Sequence, residues 1–185
     1  ISKVMDLKNN SSLLISMNND DTEKLKFKKN FFNKLGLDAT LLSSKETLNI
    51  EPCLNSNIKG ALFCKNQNQV HPGLLQKFLI QEILRLNGVI KKVSIIKNIF
   101  FDDNYFRVND LKIKASKIVI CCGAWSGKLI ENSFKIKLPI RPLKGISMLV
   151  KAKNIKFNNN LWFRNIYVAP RSNQMLAIGA TEEEK

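Results

Sequence analysis

The run Lys117-Ile-Val-Ile-Cys-Cys122 is apolar without alternation and passes directly into Gly123-Ala-Trp-Ser126. A half-exposed strand alternates apolar and polar residues, so an unbroken run of this kind predicts a strand covered on both faces. Strands covered in that way belong to α/β layers. Gly123 would let main chain approach a ligand closely at the carboxyl end of the strand, where α/β sheets hold cofactors. A short helix is expected from Ser126 onward. Taken alone, the same bend is also what an ordinary strand-to-helix turn looks like.

The rest of the chain arranges itself around this unit. Leu13 to Met17 reads as a strand, and Asn18-Asn-Asp-Asp21 supplies capping side chains for a helix in which Phe27, Phe31 and Leu35 recur at i, i+4, i+8. Leu25 and Phe32 add to its apolar side, lysines fill the other, and Gly36 stops it. Ser43-Ser-Lys-Glu46 fits a capping box for a short helix ending by Glu51-Pro52. Gly60 to Phe63 is a further expected strand. Pro72 suits a first helical turn, and Leu75, Phe78, Leu79, Ile83 and Leu86 form a stripe that closes at Asn87-Gly88. Val93 to Ile99 is the next expected strand, followed by a hairpin around Asp102-Asp-Asn104. Beyond Pro139 come long strand-like runs, Gly145 to Lys151, Leu161 to Val168 and Met175 to Ala180, the signature of an antiparallel sheet. The order is mixed α+β, then α/β, then mostly β, which predicts one domain interrupted by another. The chain begins with Ile and stops just after a strand-like run, and both ends are expected to be truncations.

Thirty Lys and Arg against fifteen Asp and Glu give a formal charge of +15. Clustered cations would point to nucleic acid or to a scaffold-binding protein without a cofactor, through counterion release from phosphates. Here the lysines are scattered singly and in pairs, as solvated faces are. Cys53, Cys64, Cys121 and Cys122 have no CxxC spacing, so they are expected as small buried hydrophobes in a reducing cytoplasm rather than as disulfides or zinc ligands. No run approaches the length of a membrane span, so a soluble protein is expected. Gly123-Ala-Trp-Ser-Gly127-Lys128 imitates a phosphate loop, but it is one residue short and Leu129 stands where the magnesium-binding hydroxyl is needed. His71 is the only histidine and has no metal partners; a helix-capping or surface role suits it.

Several blocks then occur together: Gly60-Ala-Leu-Phe63, Gln69-Val-His-Pro72, Leu74 to Gly88, Ile118 to Ser126, Leu138-Pro-Ile-Arg-Pro142 with Lys144-Gly145, Tyr167-Val-Ala-Pro-Arg171, and Ile178-Gly-Ala-Thr-Glu182. In order and approximate spacing they resemble the glycine oxidases of the D-amino acid oxidase family. The resemblance covers nearly the whole chain and is loosest before Leu41. It implies an α/β plus α+β fold: an FAD-binding domain of the glutathione-reductase type, present in part as residues 66–132, with an inserted antiparallel-sheet substrate domain from residues 1–65 and 133–185. It implies FAD as cofactor, with Ile96 meeting the adenine through its backbone and Cys122, Gly123 and Trp125 near the diphosphate and ribose. Tyr167 stands where the family's tyrosine bonds the substrate carboxylate. No residue here is expected to act as a catalytic acid or base.

The activity implied is oxidation of glycine or a similar small amine by molecular oxygen, yielding glyoxylate, ammonia and hydrogen peroxide for synthesis of the thiazole part of thiamine. Sarcosine oxidases and D-amino acid dehydrogenases share these blocks. The relatives form homotetramers, so a homo-oligomer is implied. The GxGxxG fingerprint and the family's later carboxylate-pairing arginine are not in the sequence, so the chain alone is expected neither to hold FAD tightly nor to catalyse.

Overall fold

A computed structural model describes residue 6 and residues 10–93, 95–109 and 113–179. These residues separate into two compact units, one within 1–88 and 145–182 and the other within 89–144. An interrupted unit is therefore present. Its contact boundaries, at 88/89 and 144/145, do not coincide with the functional division expected at 65/66 and 132/133.

The first unit is built on a seven-stranded sheet. Its early strands are β1 (Ser12–Ser16), β2 (Ala39–Ser43) and β3 (Gly60–Cys64), and its late ones are β7 (Ser147–Lys151), β8 (Asn160–Phe163), β9 (Ile166–Pro170) and β10 (Met175–Gly179). The spatial order is β2-β3-β1-β8-β9-β10-β7. All neighbours are antiparallel except β1 and β8, which run parallel and join the two chain segments. Alternation along β1 sends Leu13 and Ile15 to one face and Leu14 to the other. Leu13, Ile15, Ala61 and Leu161 form a core on the first face, and Leu25, Leu62, Ala39 and Cys64 one on the second.

Helix α1 (Asn19–Lys34) covers the second face, capped by the Asn18 side chain accepting from the Asp21 amide. Its buried side is not the stripe that the spacing suggested. Leu25 and Phe32 pack on the sheet, whereas Phe27, Phe31 and Leu35 are exposed. Helix α2 (Ser44–Ile50) opens with the expected capping box, Ser43 and Glu46 bonding reciprocally. These bonds hold the Glu46 carboxyl below its usual range. Helix α3 (Pro72–Arg85) starts as read, with Pro72 in its first turn and His71 Nδ1 accepting from the Leu74 amide at 3.3 Å, but it buries none of its stripe.

Three further expectations need correction. Leu161 to Val168 is not one strand: β8 and β9 form a hairpin that turns at Arg164-Asn165. Arg164 adopts a left-handed φ of +52°, held by the Asp21 carboxylate at 3.7 Å and by stacking over the Phe163 ring at 5.1 Å. In the second unit a three-stranded sheet joins β4 (Ile99–Asp102), β5 (Tyr105–Val108) and β6 (Lys114–Ala115). The hairpin falls at Asp103-Asn104 as read, both with positive φ, the geometry of the two-residue turn that matches strand twist. Of the described residues from Val93 to Ile99, by contrast, only Ile99 lies in a strand, and residues 117–122 pair with nothing among the described residues. Val119 is 85% exposed. The apolar run has the composition of a doubly covered strand, but the described residues supply neither covering layer nor ladder partner.

The tie between the two segments of the first unit is a buried carboxylate. Glu51, fully buried at the end of α2, accepts from the amides of Asn158 and Asn159 at 3.1 Å and from the Asn159 side chain at 3.0 Å. A buried charge is tolerated only when donors replace its water. Glu51→Ala is expected to cost about 3 kcal/mol by stranding those amides. Glu51→Gln, which keeps one acceptor oxygen, should cost about 1 kcal/mol. Urea denaturation would show the two midpoints, and an alanine midpoint equal to that of the parent would refute the tie.

Candidate functional site

In the second unit a short helix, α4 (Ser126–Phe134), follows a single 3-10 turn at Gly123–Trp125. Gly123 has φ +54°, a conformation that favours glycine, and a Cβ there would meet open space. The reason for the glycine is therefore backbone shape, and the open side leaves main chain accessible to a ligand. Ser133 anchors α4, its hydroxyl accepting from the Ile99 amide at 2.9 Å and donating to the Leu129 carbonyl at 2.7 Å.

Beside α4 lies a hollow of about 820 Å³. Ile95, Ile96, Leu129 and Trp125 give it apolar walls, Cys122 lies at the bend, and Lys128 and Asn132 supply a cation and an amide. Three of the four residues assigned to the cofactor by resemblance, Ile96, Cys122 and Trp125, thus line one hollow, and Gly123 is in the turn between the latter two. Apolar walls with a few polar groups are the usual make-up of a cofactor pocket. The donor set suits a flat heterocycle against the walls and an anionic group near Lys128.

The wall segment has no strand ladder to shape it. Asn109 does that work: its Oδ1 accepts from the amides of Lys97 at 2.8 Å and Asn98 at 3.1 Å, while its Nδ2 donates to the Ile95 carbonyl at 2.8 Å. Ile96 is held between these bonds. Sequence reasoning passed over Asn109, whose only local signal is the ability of asparagine to take the left-handed φ of +45° found here.

Tyr167 belongs to the first unit. It is half-buried on β9, paired in register with Trp162 of β8 and Gly179 of β10. The same row continues through Leu14, so Tyr167 is on the sheet face that carries α1. A second hollow of about 620 Å³, lined by Leu14, Phe32, Trp162, Lys24, Lys28 and Arg164, lies between α1 and this face. The Arg164 charge is already answered by Asp21 there.

The cysteines are free, but only Cys64 is buried as expected: Cys53 and Cys121 are exposed and Cys122 is half-buried, and burial pushes the Cys64 thiol up, with the Asp38 charge adding to it. Among the described residues no group of His, Cys, Asp and Glu could hold a metal, and no helix is long and apolar enough to cross a membrane.

Comparison with known proteins decides the family. The model of the FAD dependent oxidoreductase family matches residues 3–185. The chain belongs to this family. Two curated relatives are hydrogen cyanide synthase subunits HcnC: that of Pseudomonas protegens is 27% identical over 148 residues, 73% of this chain and 33% of its own, and that of Pseudomonas aeruginosa is 25% identical over 154 residues, 78% and 36%. Among solved structures, glycine oxidase from Geobacillus kaustophilus superposes with TM-score 0.89 at 22% identity, covering 97% of this chain and 49% of that one. L-alpha-glycerophosphate oxidase from Mycoplasma pneumoniae, solved with FAD bound, gives 0.83 at 18%, covering 98% and 52%. At these identities the likeness concerns the fold. The chain spans about a third of the curated relatives' length and about half that of the solved ones. The family is one of FAD-dependent oxidoreductases, whose cofactor is FAD.

If Asn109 shapes the wall of an FAD site, Asn109→Ala in the flavin-loaded protein should weaken FAD about tenfold, as loss of roughly one hydrogen bond's worth of order implies. Turnover at saturating FAD should hold. Fluorescence titration of the apoprotein with FAD measures this, and unchanged affinity would detach the hollow from the cofactor.

Proposed function

We propose that the protein oxidises glycine or a similarly small amino acid or amine. A hydride from the α-carbon and a proton from the nitrogen leave the C–N unit; FAD, when bound, would supply the hydride acceptor, water hydrolyses the imine to glyoxylate and ammonia, and oxygen takes up the two electrons and two protons as hydrogen peroxide. In this reading residues 66–132 are part of an FAD domain of the glutathione-reductase type, with residues 1–65 and 133–185 forming the inserted substrate domain. Ile96 meets the adenine, while Cys122, Gly123 and Trp125 border the diphosphate and ribose, with Lys128 near enough to the hollow to offset its charge. The Tyr167 hydroxyl donates to the substrate carboxylate and orients the amine.

The observation that carries the reading is the convergence of Ile96, Cys122 and Trp125 on one apolar hollow beside a left-handed glycine. That residues from two separate segments of the second unit line a common wall supports the carried-over assignments. The structural likeness to glycine oxidases supports the substrate class, and a cytoplasmic homo-oligomer serving thiazole synthesis completes the proposal.

The test is an assay for peroxide with glycine, sarcosine and D-alanine, made on flavin-loaded protein that also carries the GxGxxG fingerprint and the carboxylate-pairing arginine that the resemblance implies. Glycine should be turned over, and Tyr167→Phe should raise its KM about tenfold or more with a smaller change in kcat, since a charge-assisted hydrogen bond contributes roughly 1.5–3 kcal/mol. Preference for sarcosine, or turnover only with an artificial electron acceptor, would move the assignment to a sarcosine oxidase or a D-amino acid dehydrogenase. No turnover of any of these amines would overturn it.

A further inference from the structure

Gly179 lies buried as the last residue of β10, paired antiparallel with Tyr167 of β9 and Ser147 of β7, where glycine weakens a strand by giving it neither side-chain packing nor conformational restraint. Its backbone does not need glycine, because its φ is outside the left-handed region. What needs glycine is the neighbour: a Cβ on Gly179 would come within 2.6 Å of the Tyr167 phenol oxygen and closer still to two carbons of the ring. The Tyr167 ring is therefore laid across the Gly179 main chain, carrying its hydroxyl over β10. On the other side Trp162, its register partner on β8, stands with ring centroid 5.2 Å away and planes inclined by 43°. Rings so disposed attract through their edges and faces.

We propose that Gly179 and Trp162 are positioning residues that seat the Tyr167 phenol, the first by leaving a socket and the second by closing the opposite side. This rests on the reading that Tyr167 binds substrate. A tyrosine hydroxyl on an open sheet face would sample several rotamers, and the seat removes that freedom before substrate arrives. The effect belongs to substrate binding and not to the cofactor, whose hollow is formed entirely by residues of the other unit.

Kinetics of the flavin-loaded protein with glycine test the proposal. Gly179→Ala should raise KM about tenfold while leaving FAD affinity unchanged, and adding it to Tyr167→Phe should raise KM no further, because both act through one hydroxyl. Near-UV circular dichroism should change with Gly179→Ala as the Tyr167–Trp162 pair is parted. Should the alanine variant not fold, Trp162→Leu and Trp162→Phe take its place, with KM raised in the first and restored in the second. If Tyr167→Phe raises KM but Gly179→Ala, or Trp162→Leu in its stead, matches the parent, the seat is refuted. If Tyr167→Phe itself leaves KM alone while Gly179→Ala alters the dichroism, the seat stands as structure and the substrate role of Tyr167 fails.

Discussion

The first unit depends on a charge removed from water. Its seven strands come from two stretches of chain separated by the whole second unit, and only the parallel pairing of β1 with β8 bridges them within the sheet. Parallel pairing of chain segments so far apart carries a large loop-closure cost and has no hairpin to fix its register. The Glu51 carboxylate supplies the missing restraint, gripping the backbone of Asn158 and Asn159 immediately before β8 begins. Once β8 is set beside β1, the short turns β8–β9 and β9–β10 carry the sheet on to β10. The row Leu14, Trp162, Tyr167, Gly179 is a consequence of that one register.

Hydrogen bonds from side chain to main chain do equivalent work in the second unit, which has only a small sheet. Asn109 holds residues 95–98 and Ser133 fastens α4 to β4, so the hollow is bounded by segments whose shape comes from polar contacts and not from a large core. Ile99 and Leu129 are the buried apolar residues of this unit, and each is directly joined to Ser133. Such a scaffold can present irregular main chain to a ligand, which a strand ladder cannot, because ladder pairing consumes the same amides and carbonyls.

What could be read from the sequence was whatever a few neighbouring residues determine. The Ser43–Glu46 capping box, Pro72 and His71 opening α3, the Asp103-Asn104 turn and the helix start at Ser126 all depend on local backbone chemistry. The misreadings share a cause in tertiary context. The Phe27, Phe31 and Leu35 stripe has faultless helical spacing, yet the face turned to the sheet is fixed by Asn18 capping and by Leu25 and Phe32 meeting β3. The turn at Arg164 carries no glycine, and its arginine pairs with Asp21, distant in sequence. Glu51 and Asn109 are invisible to periodicity for the same reason: their partners are backbone groups elsewhere in the chain. For the candidate site, resemblance supplied Ile96, Cys122, Gly123, Trp125 and Tyr167, and composition would have supplied none of them.

The charge distribution bears on how such a site would select its ligands. FAD and an amino acid both carry anionic groups, and a net charge of +15 raises their local concentration around the protein. At physiological ionic strength that field decays over about 8 Å, so scattered surface lysines cannot by themselves distinguish one anion from another. Discrimination has to come from groups held in place at contact distance. In the proposed reading Lys128 would meet this requirement by standing on α4, which Ser133 fastens to β4, and Tyr167 by lying against Gly179 and Trp162. In both cases the chemically informative side chain is restrained by a neighbour with no chemistry of its own.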